Sequence, residues 1–103
     1  MLLIKQVQIV DGSGAKPFFG DILMNGQKIV AIGKNISKKK AGMVIDGLGL
    51  SAVPGFIDVN NDSDHHLSLF TNPGQKDFIS QGITSVIGGQ CGASLAPLMY
   101  GSL

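Results

Sequence analysis

Residues 54–59 read Pro-Gly-Phe-Ile-Asp-Val, and the character of the sequence changes at this point. The short apolar run with its single acid is typical of a strand that other structure covers on both faces. Residues 83–87 (Ile-Thr-Ser-Val-Ile) form a second run, and residues 73–81 between them can form a short helix that ends before Gly82. Strand, helix and strand joined by short links predict one βαβ unit and therefore a parallel sheet.

Before residue 54 the sequence predicts a small β-rich unit of four or five strands. Asn25-Gly26 between two apolar runs is the strongest short-range signal for a β-hairpin, because both residues tolerate a positive φ. The turn cluster Asp-Gly-Ser-Gly at residues 11–14 ends the first strand. The predicted strands are residues 2–10, 20–24, 27–33, 43–46 and 50–53.

The composition fits a small globular protein and excludes several functional classes. The 103 residues are 44% hydrophobic and 15% charged, which is typical of a folded chain with a modest core. A net charge of +1 gives no case for binding nucleic acid or an acidic membrane surface. No apolar stretch is long enough to span a bilayer or, at the N-terminus, to be a signal peptide. Because Cys91 is the single cysteine, no internal disulfide can form, and we expect a soluble cytoplasmic protein.

The polar segment after the apolar run at residues 56–59 contains candidate metal ligands. If residues 56–62 are a strand, then Asp58, Asn60 and Asp62 share one face, at the end of a parallel strand where their side chains can reach one cation. Alternatively, Asp58 caps a neighbouring backbone group and residues 60–64 form a turn. Spacing alone favours the second hypothesis, the turn.

Cys91 and a pair of histidines are the other candidates. Cys91 lies in a glycine-rich turn after the second predicted strand, where a thiolate can bind zinc or act as a nucleophile. It can equally be a small buried apolar residue. His65 and His66 are adjacent and point in different directions in any regular structure, so at most one faces a site.

The sequence resembles the N-terminal part of amidohydrolase-superfamily enzymes. The similarity runs through residues 9–14, 20–23, 27–33, 44–47 and 53–58, the last of which read Val-Pro-Gly-Phe-Ile-Asp. Within the superfamily, residues 80–86 followed by Gly-Gln-Cys-Gly-Ala-Ser-Leu-Ala-Pro-Leu at 89–98 resemble the N-acyl-D-amino-acid deacylase, or D-aminoacylase, branch. Pro-Gly-Phe-Ile-Asp alone indicates only an amidohydrolase, whereas the cysteine-containing segment is much more specific.

The resemblance implies an α/β fold in which a small β-sandwich, built from both chain ends, accompanies a TIM-like metal-dependent hydrolase barrel. Residues 1–54 would form the N-terminal portion of the sandwich, and residues 55–103 the start of a truncated barrel with its first βαβ unit. A complete barrel needs eight strands and about 250 residues. We therefore expect an N-terminal fragment that is marginally stable and inactive by itself, because its sheet faces would stay uncovered.

The resemblance also implies a reaction and a cofactor. The family hydrolyses the amide bond of N-acyl-D-amino acids with a zinc-activated water, while a carboxylate moves the proton. Cys91 matches the cysteine that binds zinc in this branch. Where the family has His-x-His, this chain has Asn60-Asn61-Asp62. Asp62 would then be an oxygen ligand, and Asn60 would be a poor ligand for zinc. One zinc ion is therefore expected rather than two. Two further His ligands and the catalytic Asp would come from strands beyond Leu103.

Two other functions stay open at this point. The first is a cyclic amidase of the dihydroorotase or hydantoinase kind, which the missing His-x-His and the Cys91 segment disfavour. The second is a non-catalytic β-rich binding domain, or pseudoenzyme, whose unclosed strand edges would bind a partner. For the deacylase the partner would be a small N-acyl amino acid substrate, and the sequence predicts no particular oligomeric state.

Overall fold

The computed structural model describes residues 1–61 and 68–89, and the chain divides into two compact units, Met1–Pro54 and Gly55–Leu103. The described residues form a mixed, sheet-dominated fold, as expected. Neither of their α-helices has the length and apolar character that crossing a bilayer requires. The elements are β1 (Leu2–Ile9), β2 (Phe18–Asn25), β3 (Lys28–Gly33), a 3₁₀ helix (Lys38–Lys40), β4 (Met43–Asp46), β5 (Ser51–Ala52), β6 (Phe56–Asp58), α1 (Ser68–Thr71), α2 (Lys76–Ser80) and β7 (Ile83–Val86).

β1 is the central strand of the sheet in the first unit, where the strand order is β3-β2-β1-β4. It pairs antiparallel with β2, and it pairs in parallel with β4 near its start and with β5 near its end. β3 lies antiparallel to β2 on the far side. The β-rich unit that the sequence predicts is therefore present as one mixed sheet of five strands.

A β-bulge in β1 decides which of its side chains face the core. Ile4 lies opposite Ile22 and Val7 opposite Gly20, so β1 has one residue more than β2 between these pairs. Without the bulge, Ile4 would share its face of the sheet with Gln6 and Gln8. With the bulge, Ile4 shares that face with Val7 and Ile9. The buried cluster consists of Val7, Ile9 and Ile22, and Ile4, Met24 and Ala52 pack against it.

The carboxylate of Asp21 holds this bulge in place. Asp21 is only 3% exposed. Its Oδ1 accepts a hydrogen bond from the Gln6 amide at 2.9 Å, and its Oδ2 accepts from Lys5 Nζ at 2.6 Å and from the Ile36 amide at 2.8 Å. Gln6 has a φ of +56°, a left-handed conformation that costs a side-chain-bearing residue about 1 kcal/mol, and these bonds offset that cost.

The same contacts set the charge state of Asp21. Burial by itself raises the pKa of this carboxyl, because a charged group loses solvation inside the protein. The hydrogen bonds from Lys5, Gln6 and Ile36, with the positive charge of Lys5, outweigh burial and hold the pKa of Asp21 below its ordinary value. The group is therefore an ionised carboxylate at neutral pH.

The hairpin between β2 and β3 lies where the sequence predicts it, but its turn is one residue further along. Asn25 still pairs with Lys28, so the two central turn residues are Gly26 and Gln27. Of the three residues 25–27, only Gly26 has a positive φ, +57°. The expectation that Asn25 and Gly26 together form the turn was wrong, because a glycine at the first central position is sufficient for a two-residue hairpin.

In the second unit, β6 and β7 pair in parallel, and α1 and α2 lie between them in the sequence. The helix predicted over residues 73–81 is shorter than expected, and Gly82 follows it with a φ of +81°, as is typical of a residue that ends a helix. The side chains of Phe56, Ile57 and Ile87 are between 52% and 62% exposed. The sequence predicts that other structure covers both faces of this strand pair, and the described residues do not cover them.

Gly55 lies so close to Thr84 that no side chain fits between them. A Cβ added to Gly55 would overlap the Thr84 side chain and would come within 2.7 Å of its Cβ. Next to this contact, the register of the parallel pair shifts between Phe56 and Ile57. The glycine of the Pro-Gly-Phe-Ile-Asp segment therefore permits the close approach of β6 and β7.

Replacing Asp21 with Asn should destabilise the first unit by about 3 kcal/mol at neutral pH, because Lys5 would lose its partner in a mostly buried setting. The wild-type advantage should be complete above the unfolded-state pKa, near 3.8, and should vanish as the pH falls through the lower pKa of the folded protein. Denaturant unfolding over a pH series measures both effects. Asp46→Asn, at an exposed carboxylate of the same sheet, is the control, and equal losses in the two variants would contradict this role for Asp21.

Replacing Gly55 with Ala should separate β6 from β7 and destabilise their pairing by about 1–3 kcal/mol, because the overlap with Thr84 cannot be relieved by a flexible chain end. Hydrogen exchange should accelerate at the amides of Phe56 and Ile87, which donate across the pair to the carbonyls of Gly82 and Asp58. Gly74→Ala is the matched control, since its Cβ would meet nothing nearer than Lys76 Cγ at 4.0 Å. Unchanged exchange in Gly55→Ala would show that the close approach does not matter.

Candidate metal site

Of the three predicted metal ligands, only Asn60 lies within the described residues. Asp62 and Cys91 lie outside them, as do His65 and His66. Within residues 1–61 and 68–89, no three His, Cys, Asp or Glu side chains are grouped closely enough to hold a metal ion. The ligand set therefore stays a prediction, and the described residues define the sheet edge that leads into it.

β6 ends at Asp58, earlier than the hypothesis of a shared strand face requires. Oδ1 of Asp58 accepts a hydrogen bond from the backbone amide of Asn60 at 3.1 Å, which closes a tight turn. The chain bends at Val59 and Asn60, so Asp58 and Asn60 do not alternate along an extended strand. A strand over residues 56–62 was the wrong alternative here, and Asp58 caps a neighbouring backbone group instead.

Two hydrogen bonds join the segments that leave β6 and β7. The Ile87 amide donates to the Asp58 carbonyl at 2.8 Å, which extends the parallel pairing by one residue. The side-chain amide of Asn61 donates to the Ile87 carbonyl, with 3.4 Å between Nδ2 and O. Because parallel strands end at the same edge of a sheet, the segment that leads to Asp62 and the segment that leads to Cys91 start side by side.

Asn60 and Asp58, the described polar residues at this edge, differ in how well their side-chain oxygens could bind a metal ion. Asn60 has an exposed side chain, and its neutral amide oxygen is a weak ligand for zinc. Asp58 is half-buried, and one of its carboxylate oxygens accepts the hydrogen bond that closes the turn. A zinc ion at this edge would therefore depend on a thiolate and a carboxylate, which Cys91 and Asp62 are able to supply.

Sequence reasoning missed Asn61 and Ile87, the residues that join the two segments. In the sequence, Asn61 is one amide in a polar run and Ile87 is the last residue of an apolar one. They lie 26 positions apart, and their contact depends on the register of β6 against β7. No local pattern reports that register, although the prediction of two parallel strands implied that residues following them would be neighbours.

Comparison with known proteins identifies similar chains, although no protein-family model matches. An N-acyl-D-aspartate deacylase from Alcaligenes xylosoxydans xylosoxydans is 40% identical over 96 residues, which are 93% of this chain and 19% of the relative. A second match is the crystal structure of an N-acyl-D-glutamate deacylase from Bordetella bronchiseptica, complexed with zinc and a phosphonate mimic of the tetrahedral intermediate. It has a TM-score of 0.76 and 36% identity, and the match covers 93% of this chain and 20% of that chain. A D-aminoacylase with a binuclear metal centre matches with a TM-score of 0.79 and 35% identity, over 94% and 20%.

These matches cover nearly all of this chain, whereas the chain spans about a fifth of the length of the curated relatives it matches. They confirm the resemblance to the deacylase branch, and the sheet-dominated fold matches the N-terminal domain of D-aminoacylase. Zinc is bound in one of the matching structures. Homologues that are 35–40% identical over 93–96% of this chain are N-acyl-D-amino-acid deacylases, which are amidohydrolases, and the chain corresponds to a short N-terminal part of them.

Proposed function

We propose that this chain forms the N-terminal part of a zinc-dependent hydrolase that cleaves the amide bond of N-acyl-D-amino acids. The observation that carries the proposal is the 40% identity to an N-acyl-D-aspartate deacylase over 93% of the chain. Because the chain covers 19% of that relative, the activity is inferred for the longer enzyme, to which these 103 residues would contribute one part of the site.

We assign residues 1–54 to the N-terminal portion of a β-sandwich and residues 55–103 to the start of a TIM-like barrel. The parallel pairing of β6 and β7 supports the second assignment, since the strands of such a barrel are all parallel. The exposed apolar side chains of Phe56 and Ile57 support it too, because a closed barrel would bury residues of this kind. Functional side chains of barrels follow the C-terminal ends of strands, and Asn60 follows β6 in this way.

Cys91, Asp62 and Asn60 are the proposed metal ligands, and a single zinc ion is the proposed cofactor. Thiolate and carboxylate are effective zinc ligands, whereas the amide of Asn60 would contribute weakly. The related D-aminoacylase is described as activated by one metal ion and attenuated by a second. An amide in place of an imidazole weakens a second metal position, which favours one ion in this chain.

Covalent geometry supports this ligand set. Asp62 directly follows Asn61, whose amide contacts the Ile87 carbonyl. Cys91 follows Ile87 by four residues, so the Cα atoms of these two residues are within roughly 14 Å of each other even in a fully extended chain. The start of both ligand-bearing segments at one sheet edge is therefore compatible with a shared ion.

Each of these residues would have a distinct role. When bound, the zinc ion supplies Lewis acidity toward the amide carbonyl and lowers the pKa of a water molecule. Asp58 would hold the turn that presents Asn60 and Asp62, through its bond to the Asn60 amide. The remaining ligands and the group that transfers the proton would come from other parts of the enzyme. We therefore expect no hydrolysis by the 103 residues alone, and we propose a cytoplasmic location, which a single cysteine permits.

A chimera tests this function directly. Residues 1–103 should replace the matching N-terminal fifth of the Bordetella deacylase and yield a protein that binds zinc and releases D-glutamate from N-acyl-D-glutamate. In the chimera, Cys91→Ser should lower both zinc content and hydrolysis by about tenfold or more, because a thiolate ligand is lost. Elemental analysis measures the zinc, and an assay for free D-glutamate measures the reaction.

The controls separate loss of a ligand from loss of folding. Cys91→His keeps a zinc-binding side chain and should retain most of the metal, while circular dichroism verifies that each chimera is folded. A folded Cys91→Ser chimera with full zinc content and activity would refute the ligand assignment. A folded parent chimera that hydrolyses no N-acyl-D-amino acid would refute the proposed function and favour a non-catalytic role.

A further inference from the structure

We infer that Asn25 is a site of spontaneous deamidation, through cyclisation onto the backbone nitrogen of Gly26. Asn25-Gly26 is the one Asn-Gly dipeptide in the sequence. Cyclisation onto a following glycine is favoured because no side chain shields the attacking nitrogen. The inference does not depend on the proposed hydrolase function, and it concerns the tip of the hairpin between β2 and β3.

The folded hairpin leaves both reacting groups accessible. Asn25 is the last residue of β2, and both it and Gly26 are exposed. A Cβ built on Gly26 would have no atom within 4 Å, so the space around this residue is open. Among the described residues, no hydrogen-bond partner is found for the Gly26 amide or for the Asn25 side chain.

Asn35 and Asn72 provide internal comparisons. Asn35 is also exposed, but its following residue is the β-branched Ile36, whose amide donates to Asp21 at 2.8 Å. The nitrogen that would attack is therefore both shielded and engaged. Asn72 precedes Pro73, which has no backbone N–H to lose. Exposure of an asparagine is thus not sufficient, and Asn25 differs from Asn35 and Asn72 in the freedom of its neighbour's nitrogen.

The reaction requires water as its co-reactant and no redox partner. The Gly26 nitrogen loses its proton to base and attacks Cγ of Asn25, so that a new N–C bond forms. The bond from Cγ to Nδ2 breaks, ammonia leaves, and a five-membered succinimide ring remains. Water then opens the ring at either carbonyl, which yields aspartate or isoaspartate. The net change is replacement of an amide by a carboxylate, with release of ammonia.

Modification would alter the end of the β2–β3 ladder. Asn25 pairs with Lys28 in the last register position before the turn. Isoaspartate inserts an additional methylene into the backbone, so the pair can no longer keep its register. Aspartate keeps the backbone but places a carboxylate opposite the Lys28 ammonium. The first product should therefore loosen the edge strand β3, and the second should leave it paired.

The test is peptide mapping of the full chain after incubation in mildly alkaline buffer at physiological temperature. Trypsin cleaves after Lys5 and Lys28 but not between Lys16 and Pro17, so Asn25 lies in the peptide of residues 6–28. This peptide should gain the mass that distinguishes a carboxylate from an amide, and enzymatic methylation of isoaspartyl groups should label it. The gain should precede any change in the peptides that contain Asn35 or Asn72.

Asn25→Gln is the control, because its longer side chain would have to close a six-membered ring. In this variant the modified form of the peptide of residues 6–28 should not appear. Circular dichroism before and after incubation verifies that the chain stays folded. Equal modification in Asn25→Gln, or earlier modification of the Asn35 peptide, would overturn the inference. Retention of an unmodified peptide of residues 6–28 while other asparagines react would do the same.

Discussion

A single buried carboxylate determines how the first unit packs. Asp21 accepts hydrogen bonds from Lys5 and Gln6, the two residues that form the bulge of β1, and from Ile36 in the segment after β3. It therefore fixes the one extra residue that brings Val7 to the same face as Ile4. Without that residue, Val7 and Ile9 would lie on the face opposite Ile4. In this sheet a polar contact selects the composition of the apolar core.

This dependence explains which parts of the fold could be predicted from the sequence. The strands and the hairpin follow from local preferences, since apolar runs and a glycine turn report them directly. The bulge could not be predicted, because Lys5 and Gln6 look like ordinary polar residues of a half-exposed strand, and a positive φ at Gln6 is locally unfavourable. Its stabilisation comes from Asp21, a residue 15 positions away, and sequence patterns do not report contacts at that distance.

The candidate site shows the same division between local and distant information. The Pro-Gly-Phe-Ile-Asp segment indicated a strand followed by polar residues, and this part of the prediction agrees with β6 and its turn. Polar residues at positions 58, 60 and 62 would share one face of an extended strand, but the turn that spacing favours is the alternative found, because Asp58 accepts a hydrogen bond from the Asn60 amide. The contact between Asn61 and Ile87 required the register of the parallel pair, which only the folded structure provides.

The two units differ in how many strands pair with one another in their sheets. In the first unit, β1 has strands on both sides and contributes to a buried cluster, although Phe19, Met43 and Leu48 of the same unit are between 59% and 70% exposed. In the second, β6 and β7 have only each other among the described strands, and a two-stranded sheet with exposed Phe56 and Ile57 is marginal in water. A metal site needs ligands held on rigid elements, because small displacements of a ligand weaken binding. The edge that carries Asn60 would therefore gain its rigidity from polypeptide that covers these strands, and the relatives, about five times as long, have that additional chain.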